Sequence, residues 1–412
     1  MEKTLILNSG KCAWGKCIFC GYGRIEGMKP GYENLKLIFD NFFNKLFRKK
    51  FNQKIKVFGS GSFLDDSQVP QKARRYFIEK CRVYGVEKLT VESRPEFITR
   101  EKLDEFKGID LSVAIGLEAA DDMVLDMIKK GFHLRDFEAA AEIIHGSGFK
   151  VRTYLLVNAP GADVNELSKS LDYALKYSDS VVLINLLPHG NTPLFKLWLN
   201  GEWNFLSKEE FFEICDNALK NLDDKVKERV ELDPETFKFV PKFPEELRAP
   251  LKGVGEEYLT HPHFEVWQDY LCRWYRPRDK DTLLFLPCSY KKPYSESKTY
   301  RQITEKLREI KFDLHGAHRV FISNPGVIPI EFENYYPFNA YDWDEKNEMD
   351  EIKGRYIEVT KNRIVNYLGA HKTRYGRIRC CLKPESESWK ALKAACDELE
   401  IDIENYYFKI KF

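Results

Sequence analysis

Cys12-Ala-Trp-Gly-Lys-Cys17-Ile-Phe-Cys20 sets three thiols within nine residues, directly after an apolar run, Thr4–Asn8, that reads as a strand. Thiolates are the usual ligands of iron–sulfur clusters. Three of them hold three irons of a cubane and leave the fourth open, as an open coordination position does in other metal enzymes. No fourth Cys or His lies near this stretch, whereas a structural zinc site is closed by four ligands. A zinc knuckle, or cysteines that only pack, stands as the plainer alternative.

Outward from this loop the chain alternates. Strand-like runs recur at Lys54–Phe58, Lys88–Glu92, Leu111–Ile115, Lys150–Leu156 and Ser180–Leu186. Helical patterns lie between them, clearest in Leu35, Ile38, Phe39, Phe42, Phe43 and Leu46. Six strands, each followed by a helix, predict an α/β fold with a parallel sheet or partial barrel, whose ligands sit at the carboxyl ends of the strands. From about Pro188 the periodicity weakens, and prolines 234, 241, 244 and 250 interrupt it. The boundaries expected are a first domain over 1–200, a connecting region over 201–254 with a helix near Lys208–Leu222, and a second, smaller α/β domain over 255–412. In the last, a helix is expected at His263–Trp274, strands at Thr282–Leu286, His318–Ser323 and Arg377–Leu382, and a helix at Glu387–Leu399.

Composition excludes several classes. The 65 basic residues nearly cancel the 64 acidic ones, so a nucleic-acid or membrane surface has to be a local patch. No stretch approaches the ~20 apolar residues of a membrane span, and the N-terminus turns polar too soon for a signal peptide. A cytoplasmic protein without a membrane partner is the expectation. Ten cysteines in 412 residues are too sparse for a secreted disulfide framework. Local patches do occur: Arg273-Trp-Tyr-Arg-Pro-Arg278, Lys372-Thr-Arg-Tyr-Gly-Arg377, and the lysines and arginine of 45, 48, 49, 50, 54 and 56. Basic residues interleaved with aromatics suit phosphate contact and base stacking, though a charge run is more often a solvated face.

The cysteine loop resembles the radical S-adenosylmethionine (SAM) enzymes. Their usual spacing is C-x3-C-x2-C, and this chain has C-x4-C-x2-C, with Phe19 and Gly21 as in the family. Gly59-Ser60-Gly61-Ser62-Phe63-Leu64-Asp65 looks like the family's glycine motif, which meets the SAM amino group; glycine suits a backbone that approaches a ligand. Glu92-Ser93-Arg94-Pro95 and Gly116-Leu117-Glu118 are similar to segments of the branch that contains the elongator acetyltransferase. The resemblance, over about 1–195, implies a partial (β/α)6 barrel and a [4Fe–4S] cluster on Cys12, Cys17 and Cys20. It also implies SAM on the open iron, cleaved by one electron from an external donor to methionine and a 5′-deoxyadenosyl radical. Arg152 would lie near the SAM carboxylate, and Asn185 with His189-Gly190-Asn191 where a purine packs.

Further on, Pro287-Cys288-Ser289-Tyr290-Lys291-Lys292-Pro293-Tyr294-Ser295-Glu296-Ser297-Lys298-Thr299-Tyr300 is a polar loop between a strand and a helix. Such a loop suits an anion, held by the helix-start N–H groups with Ser295, Ser297 and Lys292. Cys288 is a candidate nucleophile if lysines lower its pKa, and otherwise a buried Cys in a rigid loop. The stretch resembles the P-C-x3-K-P-Y-x2-S-x2-H motif of archaeosine synthase, with Tyr300 where that motif has His. The match extends over about 255–412, through Arg319–Pro329 and Tyr336-Pro337.

The two resemblances meet in one pathway, in which a synthase attaches lysine to a tRNA base and a radical SAM partner cleaves the adduct to leave the amidine. The expected function is therefore that of a radical SAM enzyme of tRNA modification, forming archaeosine, with tRNA and an archaeosine synthase-type protein as partners. Two other readings stand beside it: a radical SAM enzyme with another substrate, and a tRNA-binding scaffold whose cluster is structural.

Overall fold

A computed structural model describes residues 2–46, 53–234, 239–343 and 348–409. The chain divides into two compact units, Met1–Phe239 and Val240–Phe412. In the first, strands β1 (Glu2–Leu7), β2 (Gln53–Gly59), β3 (Val86–Glu92), β4 (Leu111–Glu118), β5 (Lys150–Val157), β6 (Ser180–Asn185) and β7 (Val230–Asp233) lie side by side in chain order. Every neighbouring pair is parallel, and the sheet curls into a half-barrel. Helices α1 (Tyr32–Leu46), α2 (Gln71–Val83), α3 (Arg100–Asp104), α4 (Asp122–Met127), α5 (Leu134–Gly146), α6 (Leu167–Tyr177), α7 (Pro193–Leu199), α8 (Lys208–Leu219) and α9 (Asp224–Lys227) link or follow the strands.

Alternation along the strands divides the two faces. One set is buried, including Leu5 and Leu7, Ile55 and Val57, Leu89 and Val91, and Val151 and Leu155. The other set, with Glu92, Ala114, Gly116, Tyr154, Leu156 and Ile184, faces one cavity. The helical periodicity around residue 39 delivers what it predicts: Phe39 and Phe43 of α1 meet Phe77 of α2, all three without exposed surface. Burying each such ring contributes about 1.5–3 kcal/mol.

The six predicted strands are present within a few residues of their expected bounds. The seventh is a correction. β7 lies inside the stretch expected as a connecting region, which is in fact divided: α8, α9 and β7 belong to the first unit, and β8 (Leu251–Gly253) to the second. A four-residue edge strand with two acidic side chains, Val-Glu-Leu-Asp, carries too little apolar signal to be seen in sequence.

The second unit has a five-stranded sheet in the order β11-β10-β9-β13-β14. Its strands are β9 (Thr282–Pro287), β10 (Ala317–Ser323), β11 (Gly326–Pro329), β13 (Arg377–Cys380) and β14 (Glu404–Asn405). Only the β10–β11 pair is antiparallel. β8 pairs separately with β12 (Tyr341–Trp343). The helices are α10 (Glu256–Leu259), α11 (Pro262–Arg273), α12 (Lys298–Glu309), α13 (Asp350–His371) and α14 (Glu387–Glu398). Trp267 of α11 is fully buried against Phe332, Tyr335 and Phe338. Among the described residues no helix is long and apolar enough to cross a membrane.

Candidate functional site

The cysteine loop is fastened from both sides. Ile18 N–H donates to the Ile128 carbonyl at 3.0 Å, and the Ile18 carbonyl accepts from Leu194 N–H at 3.0 Å. Trp14 Nε1 donates to the Lys129 carbonyl at 2.7 Å. Gly131, at φ +77°, leaves room for the Trp14 ring: a Cβ there would stand 2.3 Å from it. Asn191 Nδ2 holds the Gly21 carbonyl at 3.3 Å. The loop therefore keeps its shape through contacts with two segments distant in sequence, 128–131 and 191–194.

Cys12, Cys17 and Cys20 line one cavity at the carboxyl end of the half-barrel, about 1130 Å³ counted out to its open mouth. Of the expected cofactor-binding residues, Gly59, Ser60, Gly61, Glu92, Arg94, Glu118 and Asn185 line the same cavity. A Cβ on Gly61 would stand 2.2 Å from Gln68 Oε1 and would displace that side chain. Gln68 in turn accepts from Ser62 N–H at 2.7 Å and donates to the Ser9 carbonyl at 3.2 Å, which fixes the loop after β2. At the end of β4 the β4–β5 register shifts between Gly116 and Glu118. Glu118 has φ +75°, a conformation costly for a side chain other than glycine and concentrated at functional sites.

Two of the expected residues stand outside this lining. Ser62 does not line this cavity; it is buried and its Oγ accepts from Arg94 N–H at 2.9 Å, so it secures the backbone. Arg152 is also absent from the lining. It lies one pleat below Tyr154 on the same face of β5 and forms an ion pair with Glu231 of β7. Asn185 is fully buried and donates from Nδ2 to the Leu206 carbonyl at 3.1 Å.

Lys130 and Tyr154 were not anticipated. Lys130 Nζ reaches Glu118 Oε1 at 2.6 Å, both side chains about nine-tenths buried. Burial works against its ammonium, but Glu118 outweighs it and keeps the group more basic than usual. Arg94 Nη1 donates to the Lys130 carbonyl at 3.0 Å, and the Arg94 guanidinium lies over the Trp14 and Phe132 rings. Burial pushes the Cys17 thiol up to about 11, with the Lys130 charge pulling the other way. Cys20 is also raised, by burial, against the Gly23 N–H that donates to its Sγ at 3.3 Å.

These residues match a known family. Residues 8–174 match the profile of the Radical SAM superfamily. The chain carries a radical SAM domain. Residues 264–408 match a domain of unknown function, DUF5591. Archaeosine synthase subunit beta of Methanosarcina acetivorans is 30% identical over 215 residues, 48% of this chain and 62% of the relative. The same subunit of Thermococcus kodakarensis is 36% identical over 160 residues, 36% of this chain and 49% of the relative. Archaeosine synthase of Haloferax volcanii is 32% identical over 163 residues, 37% of this chain and 24% of the relative. The chain thus spans less than two thirds of the length of each.

The radical SAM site fits a cubane and SAM. Gly23 N–H already points at Cys20 Sγ, as a donor to a cysteinate would. Ser60 Oγ is buried in the lining without a hydrogen-bond partner, an atom that a bound polar group would satisfy. Among the described residues no three such side chains close on a single metal ion. Ligands to three separate irons have no need to.

In the second unit, Cys288 and Lys292 line an open pocket with Lys252, Tyr290, Asn324 and Trp343. Lys292 Nζ lies 4.0 Å from the centre of the Tyr341 ring, and burial lowers its pKa. The expected anion cradle at the helix start is not there. Glu333 takes both Ser295 N–H, at 2.9 Å, and Ser295 Oγ, at 2.6 Å, so an anion would meet a carboxylate. Ser297 Oγ is occupied as the cap of α12, accepting from Tyr300 N–H at 3.0 Å. Tyr300, at the position of the motif His, is outside the cavity lining; its Oη accepts from Arg319 and its ring faces Phe321.

Proposed function

We propose that the chain is a tRNA-modifying radical SAM enzyme that holds a [4Fe–4S] cluster on Cys12, Cys17 and Cys20 and forms archaeosine from a lysine-adducted tRNA base. The observation that carries the reading is the gathering of these cysteines, the Gly59–Gly61 loop, Glu92 and the Glu118–Lys130 pair around one cavity. The relatives named archaeosine synthase support the substrate class. When bound, the cluster and SAM supply an electron and a 5′-deoxyadenosyl radical that takes a hydrogen atom from the substrate. The chain's own residues position and shield. Ser60 and the Gly59–Gly61 backbone meet the amino-acid end of SAM, Glu118 orients Lys130 toward its carboxylate, and Phe19, Leu156 and Ile184 exclude water. An external electron donor and an archaeosine synthase-type protein are the partners this reading requires. The second unit, with Cys288 and Lys292 in its own cavity, serves docking of tRNA or of that partner.

The deciding experiment is incubation of the anaerobically reduced protein with SAM and lysine-adducted tRNA. 5′-Deoxyadenosine together with archaeosine is expected. An intact cluster that yields neither product would overturn the proposal.

Glu92 gives the site a pH dependence. Burial pushes its carboxyl up to about 7; the Gly59 N–H opposes that shift, Glu118 adds to it and Lys130 opposes it. SAM brings a sulfonium and an ammonium, which favour the carboxylate form. Its affinity is therefore expected to rise with pH by up to about tenfold per unit below pH ~7 and to level off above. Calorimetric titrations across this range check it, and Glu92→Gln should flatten the profile. The ligand-free unit has the opposite trend. The folded state keeps this proton longer than the unfolded one, so stability falls as pH rises from 4.5 to about 7.

A further inference from the structure

The basic stretches Arg273–Arg278 and Lys372–Arg377 are far apart in sequence, and the second unit brings them to one place. The first leads into β9 and the second into β13, and these strands are parallel neighbours, so both lead-ins stand at the same end of the sheet. The Asp281 carbonyl accepts from Gly376 N–H at 2.8 Å and from Arg377 N–H at 3.1 Å. The Asp281 carboxylate takes the Arg377 side chain at 2.6 Å across 96 positions. Lys280 Nζ reaches the His315 carbonyl at 2.6 Å, which adds the lead-in to β10.

Within these stretches the aromatics and the cations part company. Trp274, Tyr275 and Tyr375 are buried. Tyr275 Oη donates to Glu331 at 2.6 Å, and Tyr375 Oη pairs with His318 Nδ1 at 2.7 Å. They hold the fold and offer no stacking platform, which corrects the sequence expectation of base stacking. Of the third basic run, Lys45, Lys54 and Lys56 belong to the first unit, and 48–50 fall outside the described residues. What remains at this end of the second sheet is Arg276, Arg278, Lys280, Lys372, Arg374 and Arg377. Against them stand Asp279, Asp281 and Asp313, and the exposed Glu400 and Asp402 of the lead-in to β14, which runs parallel to β13. Arg377 matches Asp281, and Asp313 is engaged by the N–H groups of His315 and Gly316.

We infer that this end of the second sheet is a contact surface for the phosphate backbone of folded RNA, an inference that rests on the reading of tRNA as the substrate. Cations without exposed rings read phosphates and position a nucleic acid without reading its bases. Neither basic stretch itself carries an exposed apolar side chain of the kind a membrane-surface element would require. The Cys288 cavity lies at the other end of β9, roughly 20 Å away by strand rise. The surface therefore docks RNA at a distance from that cavity.

The test is filter binding of a tRNA transcript to the full chain over a range of salt. Arg278→Glu with Arg374→Glu is expected to weaken binding by about 10- to 100-fold near 0.1 M salt and to reduce the salt slope by about two. Arg278→Lys with Arg374→Lys should bind as the wild type, and both variants should keep the wild-type melting profile and tRNA-independent SAM cleavage. An equal affinity and slope for the charge-reversed protein would overturn the inference, and archaeosine formation by the wild type would show that the functional reading survives. Wild-type binding to phosphatidylserine vesicles but not to tRNA would also overturn it. Tight, reversal-sensitive tRNA binding without product would uphold the surface and sink the substrate assignment.

Discussion

Cys17→Ala is expected to strip the protein of its cluster and to abolish SAM cleavage. Loss of an outer partner of a metal ligand already costs 10- to 100-fold, so loss of a ligand itself should cost more than about 100-fold. The anaerobically reconstituted variant should show iron and visible absorbance near background, with no 5′-deoxyadenosine. The control is Cys215→Ala. Cys215 is fully buried on α8 and lines no part of the cavity, so its variant should keep its iron. Proton release is a second signature. An ordinary thiol is already protonated near neutral pH and burial raises Cys17 further, so iron loading has to release its proton. Titration of apo protein in weakly buffered solution should detect that release, and Cys17→Ala should remove it. Full iron content in Cys17→Ala would sink the assignment of the ligand set.

Much of this was legible in the sequence because it is carried locally. Each strand of the half-barrel except the last is an apolar run bounded by polar loops, and the cysteine motif sits within nine residues. What was not legible depends on which way a side chain points once distant segments meet. Lys129-Lys130 reads as an exposed basic pair. Only the turn that places Lys130 over Arg94 and beside Glu118 buries one of the two and leaves the other exposed. Arg152 and Tyr154 are equivalent by alternation, and depth along β5 decides which reaches the cavity. The 22-residue helix α13 escaped notice for a different reason. Its buried face includes Thr360, Arg363 and His371 beside Ile364 and Leu368, so polarity masks its period. Arg363 donates there from its Nη atoms to the carbonyls of Asn324 and Leu259 and to Glu265.

Lys130→Met should be the most destabilising of single changes in the cavity wall. Removing one partner of a buried ion pair leaves the other charge without compensation, which typically costs about 3–5 kcal/mol. Here the abandoned carboxylate, Glu118, would also face Glu92, whose own ionisation it already disfavours. For a unit of this size the loss corresponds to a fall of roughly 10 °C in its melting transition, readable by calorimetry. Glu118→Gln strands the ammonium instead and should also destabilise the unit. The double variant Glu118→Gln with Lys130→Met removes both charges, and most of the stability should return because the cost lies in the unpaired charge. SAM binding should not return with it, because the cation held toward the cosubstrate is gone. A double variant that regains both stability and SAM affinity would reduce the pair to a structural brace. One that regains stability alone would place Lys130 in the ligand site.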